Sequence, residues 1–148
     1  IVPAAAGKQI ALYVECPDKL WLLHDSKWTE EAIFNVLDNA VKYTQRGGEI
    51  HISVTRQEIF TKISIQDNGK GIALERQAEI FKRFYREPEV HEEPGIGIGL
   101  YLTRKILELQ NGYIEVRSGE GEGSVFCLYL PERPERDVEN HKTENITE

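Results

Sequence analysis

Apolar residues recur along this chain with two distinct periods. From Glu49 to Thr55, Ile50, Ile52 and Val54 alternate with polar neighbours, and Thr61 to Gln66 alternates Ile63 and Ile65 likewise. A period of two turns one face of a strand toward a core and the other toward water, so these runs predict an antiparallel hairpin. Gln9 to Val14 reads as an earlier strand and Leu20 to Leu23 as a shorter one. Tyr113 to Val116 and Ser124 to Leu130 read as a closing hairpin around the loop Gly119 to Gly123.

The helical period appears in two longer stretches. Asp25 or Ser26 can cap a helix that carries Asn35 and Asn39, with Glu30 and Glu31 suited to its positive end and Gly47-Gly48 ending it. Gly99 to Gln110 predicts a second helix with Leu102, Ile106 and Leu109 on one stripe, stopped by Asn111-Gly112. Glu75 to Phe81 is a shorter helix. Ile1 to Gly7 reads as irregular, and Arg86 to Gly95, with two prolines and four acids, as a mobile loop. From Pro131 a polar, acidic tail follows, which composition assigns to disorder.

The first long helix departs from a plain amphipathic pattern. At about 100° per residue, Ala32, Ile33, Val36, Leu37, Ala40, Val41 and Tyr43 share one broad arc. Asn35, Asn39 and Lys42 fall together on its border, joined by Glu31 and Asp38. Asn35 and Asn39 are i, i+4 neighbours, roughly 5–6 Å apart at Cβ. A half-buried amide costs stability unless it is hydrogen-bonded. The pair is therefore either two surface asparagines or a site for an outside partner, such as a metal ion with phosphate oxygens.

Three further stretches carry candidate chemistry. Asp67-Asn68-Gly69-Lys70-Gly71-Ile72 leaves a strand with Asp67 on the face of Ile63 and Ile65 and no basic residue of matching parity. A buried carboxylate needs a donor, which a purine amine would supply; a simple Asp-Asn-Gly turn is the other reading. Gly95-Ile96-Gly97-Ile98-Gly99-Leu100 frees backbone amides at a helix start, where anions bind, or else is a hinge. It is neither G-x-G-x-x-G nor a P-loop. Phe81 to Arg86 couples aromatics to three cations, which either reach a phosphate or end an amphipathic helix in solvent.

Composition narrows the choice. The chain has 148 residues and a net charge of −7, enough for one domain with a real core and unlike the basic stripe of a nucleic-acid surface. Cys16 and Cys127 have no metal-ligand spacing, and Cys127 reads as a buried thiol, consistent with a reducing cytosol. No apolar run approaches the roughly 20 residues that span a bilayer, and no secretory signal is present. Without a methionine even at position 1, the chain reads as a piece of something longer.

The order and joint spacing of these stretches resemble the catalytic ATP-binding domain of sensor histidine kinases, in the superfamily of gyrase B subunits, heat-shock chaperones and mismatch-repair ATPases. Asn35 to Thr44 looks like the N box, Asp67 to Gly71 the G1 box, Phe81 to Arg86 the F box, Gly95 to Leu100 the G2 box and Gly121 to Ser124 the last glycine box. The resemblance spans residues 8 to 131. It implies an α+β two-layer sandwich, a mixed and mostly antiparallel sheet on about three helices, with a mobile ATP lid from Glu87 to Pro94. Residues 1–131 would be the catalytic domain and 132–148 a disordered tail.

Carried over residue by residue, the resemblance has Asp67 bind the adenine amine and Tyr43 pack on the ring. Asn35 and Asn39 would hold Mg²⁺ and phosphates, Lys42 and Arg86 would neutralise charge, and the amides of Gly97, Gly99 and Leu100 would cradle phosphate. Gly69, Gly71, Ile72, Phe84, Gly95 and Ser124 complete the implied ATP-binding set. Asn35 stands where gyrase-like ATPases carry a glutamate that activates water, and a carboxamide cannot act as that base. The γ-phosphoryl group would instead pass to a histidine on a separate dimerisation domain. Neither His24, His51, His91 nor His141 has the family's phosphoacceptor setting, so no catalytic residue is expected on this chain. Implied partners are that domain and a response regulator, in a homodimeric, membrane-anchored sensor kinase whose cytoplasmic part this is. An anti-sigma-type serine kinase and a non-catalytic nucleotide-binding module share the fold and stay open.

Overall fold

A computed structural model describes residues 2–16, 26–82 and 99–131. The element order is α1 (Val2–Gly7), β1 (Ala11–Glu15), α2 (Ser26–Tyr43), β2 (Glu49–Gln57), β3 (Phe60–Asp67), α3 (Leu74–Gln77), a 3₁₀ turn (Glu79–Phe81), α4 (Gly99–Leu109), β4 (Tyr113–Ser118) and β5 (Ser124–Pro131). Five strands form one sheet in the order β1-β2-β3-β5-β4. β1 runs parallel to β2, and every other pairing is antiparallel. This is the mixed α+β sandwich that the resemblance implies.

One face of the sheet carries the core. Ile50, Ile63, Ile65, Phe126, Leu128 and Leu130 are buried there, against Ala32, Val36, Ala40 and Val41 of α2 and Leu100, Ile106 and Leu107 of α4. The two long helices pack antiparallel. Thr103 Oγ1 donates to Ala32 O at 3.3 Å while bonding its own helix at Gly99 O, 2.9 Å, and Gln110 Nε2 reaches Thr29 Oγ1 at 3.2 Å. Gly99, at the start of α4, meanwhile lies against Asn35. The beginning of α4 is thereby set beside the asparagine border of α2.

Two expectations are corrected. Residues 2–7 are helical rather than irregular: Pro3 suits a first turn, three alanines follow, and Ala5 is buried in the core. Lys8 N and Ile10 N both return to Ala5 O, at 3.2 and 2.9 Å, and turn the chain into β1 through Gln9 at φ 55°. In α4, Leu109 is 84% exposed rather than part of the apolar stripe. Contacts through Thr103 and Gln110 rotate the buried face onto Leu100, Thr103, Ile106 and Leu107 and turn Leu109 to water. The predicted Leu20–Leu23 strand, the Glu87–Pro94 lid and the tail lie outside the described residues.

The rotated stripe can be tested with two leucines of one helix. Leu107→Ala is expected to cost about 2–5 kcal/mol and Leu109→Ala no more than about 0.5 kcal/mol in urea denaturation. Equal losses would contradict the observed face.

Candidate functional site

The last residue of β3 supplies the most constrained polar group in the molecule. Asp67 continues the inward face of Ile63 and Ile65 and is 4% exposed. No cation pairs with it among the described residues. Its Oδ1 accepts from Gly69 N at 2.9 Å, and the Ser124 backbone amide is a second donor. Burial is the larger influence and holds the carboxyl above its ordinary 3.8, with the two amides opposing it.

The turn after Asp67 is locked on three sides. Asn68 Oδ1 accepts from Glu49 N at 2.8 Å, and Asn68 O accepts from Gln45 Nε2 at 3.2 Å. Gly69 passes so close to the Tyr43 carbonyl that a Cβ would overlap it. Gly71 has φ +76°, and its missing Cβ leaves room for the Gly119 carbonyl. Gly121 N donates to Lys70 O at 2.7 Å, so the loop between β4 and β5 closes over the turn.

A hydroxyl network joins this turn to the final hairpin. Ser118 Oγ accepts from Ile72 N at 2.7 Å, donates to Gly123 O at 2.7 Å and lies 2.9 Å from Ser124 Oγ. Gln77 Nε2 bridges Ile72 O and Ser118 O at 3.0 and 2.8 Å. Ile72 and Ser124 are buried beside Asp67. Asn68, Gln77 and Ser118 were not singled out from the sequence. Only Asn68, as the Asx of an Asn-Gly turn, carried a local signal.

Along the α2 edge, Asn35 and Asn39 are both half-buried. Asn35 Nδ2 is fully buried without a hydrogen-bond partner among the described residues. Lys42 pairs with Asp38 at 2.9 Å. The Tyr43 ring lies 5.0 Å from Lys70 Nζ. Gly99 and the buried Leu100 open α4 beside Asn35. Asn35, Asn39, Lys42 and Tyr43 all lie on α2, with Tyr43 against the turn that follows the central strand and Gly99 against Asn35. Phe84, Arg86, Gly95 and Gly97 lie outside the described residues.

A mixed sheet is backed by an antiparallel helix pair, with a buried aspartate at a strand end and two half-buried asparagines on the first long helix. The chain matches the family of histidine kinase-, DNA gyrase B- and HSP90-like ATPases over residues 24–134 and belongs to it. Its relatives are sensor histidine kinases. The alginate biosynthesis sensor protein KinB of Pseudomonas aeruginosa is 35% identical over 131 residues, 88% of this chain and 22% of KinB. The sensor protein kinase PmrB of the same species is 38% identical over 128 residues, 86% of this chain and 27% of PmrB. The chain therefore spans about a quarter of these relatives' length. Among solved structures, the mycobacterial sensor histidine kinase MprB superposes with a TM-score of 0.76 at 26% identity, covering 90% of this chain and 89% of that one. The catalytic domain of histidine kinase ThkA gives 0.78 at 26%, covering 90% and 86%. Full-length ShkA in complex with AMPPNP shares the fold, with a TM-score of 0.78 at 24% identity, over 88% of this chain and 27% of that one.

The raised Asp67 titration has a definite sign. The folded protein keeps this proton at pH values where the unfolded chain has released it, so the contribution to stability is present below about pH 4 and lost as pH rises through the folded titration. Asp67→Asn removes that loss. In urea denaturation across pH, the stability difference is expected to move in the variant's favour as pH rises from about 4; parallel curves would contradict it.

Proposed function

We propose that residues 8–131 bind Mg·ATP and present its γ-phosphoryl group to a histidine on another domain of a parent sensor kinase, with 132–148 as a separate tail. The observation that carries this is Asp67, a buried carboxylate held by two backbone amides and answered by no cation among the described residues. Such a group is poised to accept from the exocyclic amine of adenine. Tyr43 would pack on the base, with Gly69, Gly71, Ile72 and Ser124 shaping the pocket wall.

The donor set on α2 fits a magnesium–phosphate partner. Mg²⁺ takes few protein oxygens and keeps water and phosphate ligands, and the carboxamide oxygens of Asn35 and Asn39 are neutral donors of that kind. The orphaned Asn35 Nδ2 would gain an acceptor when phosphate oxygens arrive. Among the described residues no group of three His, Cys, Asp or Glu side chains gathers to compete for the ion. Bound there, the ion would offset charge between the phosphates. Lys42 and Arg86 would add positive charge, the amides of Gly97, Gly99 and Leu100 would face the phosphate oxygens, and Phe84 and Gly95 would complete the ATP-binding set.

With Asn35 where a base would have to stand, water activation is poor and the phosphoryl group awaits a better nucleophile. The work of this domain is then positioning and charge neutralisation. The relatives' description as sensor kinases supports a phosphoacceptor and dimerisation domain, a homodimer, a response regulator and a membrane anchor in the parent. No helix among the described residues is long and apolar enough to cross a membrane.

Calorimetry of ATP with and without magnesium tests the binding. The wild type should bind in a magnesium-dependent manner, and Asp67→Asn and Asn39→Ala should each weaken binding by at least about tenfold while staying folded. Unchanged affinity in both would sink the assignment. Label from ATP should appear on the parent's helical domain as acid-labile phosphohistidine; acid-stable phosphoserine on a partner would favour a serine kinase of the anti-sigma type, and no transfer a non-catalytic module.

A further inference from the structure

One cation belongs to none of the motifs and holds the helix that carries the first of them. Lys8 follows α1, and its ammonium donates to three main-chain carbonyls at the C-terminal end of α2: Val41 at 3.0 Å, Lys42 at 3.1 Å and Thr44 at 3.3 Å. An ammonium has three protons, and here each has an acceptor. A helix end leaves such carbonyls without intrahelical donors, and it carries the negative pole of the helix dipole. A lysine placed there meets both needs.

The backbone of the same segment adds to the grip. Gly47 N donates to Lys8 O at 2.9 Å, and Ala11 N donates to Gly48 O at 3.0 Å. Residues 8–11 thus bracket the turn that ends α2, while Ala5 anchors α1 in the core. The carbonyl that Lys8 does not take is Tyr43 O. It faces the turn beyond Asp67: Lys70 N lies 3.5 Å from it, and Gly69 can approach only because it lacks a Cβ. Three carbonyls of the helix end are tied to Lys8, and the fourth abuts the pocket turn.

We propose that Lys8 is a positioning residue for the nucleotide site, setting the last turn of α2 so that Tyr43 meets the Gly69–Lys70 turn that holds Asp67. The proposal rests on the reading of that site as an ATP pocket. Nothing in the nucleotide motifs requires a cation at position 8, and its three acceptors are all main-chain carbonyls at the end of α2.

Lys8→Met keeps most of the length of the side chain and removes all three donors, Lys8→Gln leaves a shorter, neutral amide with two, and Lys8→Arg retains several. In nitrogen-15 spectra without nucleotide, Lys8→Met is expected to shift the amides of Gly69 and Lys70 while those of Glu58 and Phe60, at the other end of β3, stay in place. In calorimetry with magnesium, ATP affinity should fall about five- to tenfold, with Lys8→Arg recovering most of the loss. Should Lys8→Met not fold, Lys8→Gln should show the same two changes in smaller measure. Unmoved Gly69 and Lys70 amides, or an affinity within about twofold of wild type, would overturn the proposal. A wild type that binds no ATP would instead remove the pocket reading, and the amide shifts would still decide whether Lys8 sets the turn.

Discussion

A carboxylate taken out of water organises this domain. Asp67 sits at the end of the central strand of the sheet, with core isoleucines behind it and, among the described residues, two backbone amides as its donors. Burying a charge without a partner is costly, and the surrounding structure limits that cost without removing it. Gly69 must turn back to donate to it, Gly123 must yield space to its carbonyl, and Ser124 must present an amide from the neighbouring strand. Each requirement fixes a piece of chain: the glycine turn, the final hairpin loop, and the Ser118–Ser124 hydroxyl pair that joins them.

The second constraint is a helix asked to be core and site at once. Val36, Ala40 and Val41 bury against the sheet, while Asn35 and Asn39 hold the margin of the same face. The small residues Ala32 and Thr103 let α4 approach closely enough for a side chain to bond across the helices, at 3.3 Å. That approach brings Gly99 against Asn35 and sets the start of α4 beside the carboxamides. Packing and the candidate site are therefore one geometry, and the carboxamide margin is held by the same contacts as the core.

What could be read in the sequence followed from how local each signal is. The strands of Ile50–Val54 and Ile63–Ile65 were plain because a half-buried strand writes its period directly into the chain. Asp67's inward direction followed from the same parity, and the Asn35–Asn39 border from helical spacing. The family followed from the order of its motifs, which five stretches share even where each alone is ambiguous. Helix α1 was missed because six residues carry too little periodicity to outweigh an early proline, and its stability comes from Ala5 packing in the core. The outward turn of Leu109 depended on contacts by Thr103 and Gln110 with a helix far away in sequence. Ser118, Gln77 and Lys8 act through main-chain groups of distant elements, and no spacing rule announces such a bond.

The account centres on a carboxylate that reads the exocyclic amine of adenine, and chemistry on the ligand tests it without disturbing the protein. Purine riboside triphosphate differs from ATP by a hydrogen in place of that amine. Calorimetry of both nucleotides with magnesium should show the analogue binding at least about tenfold more weakly, because Asp67 would be left buried and unanswered. Equal affinity for the two would mean that Asp67 does not read the amine, and the pocket assignment would fail.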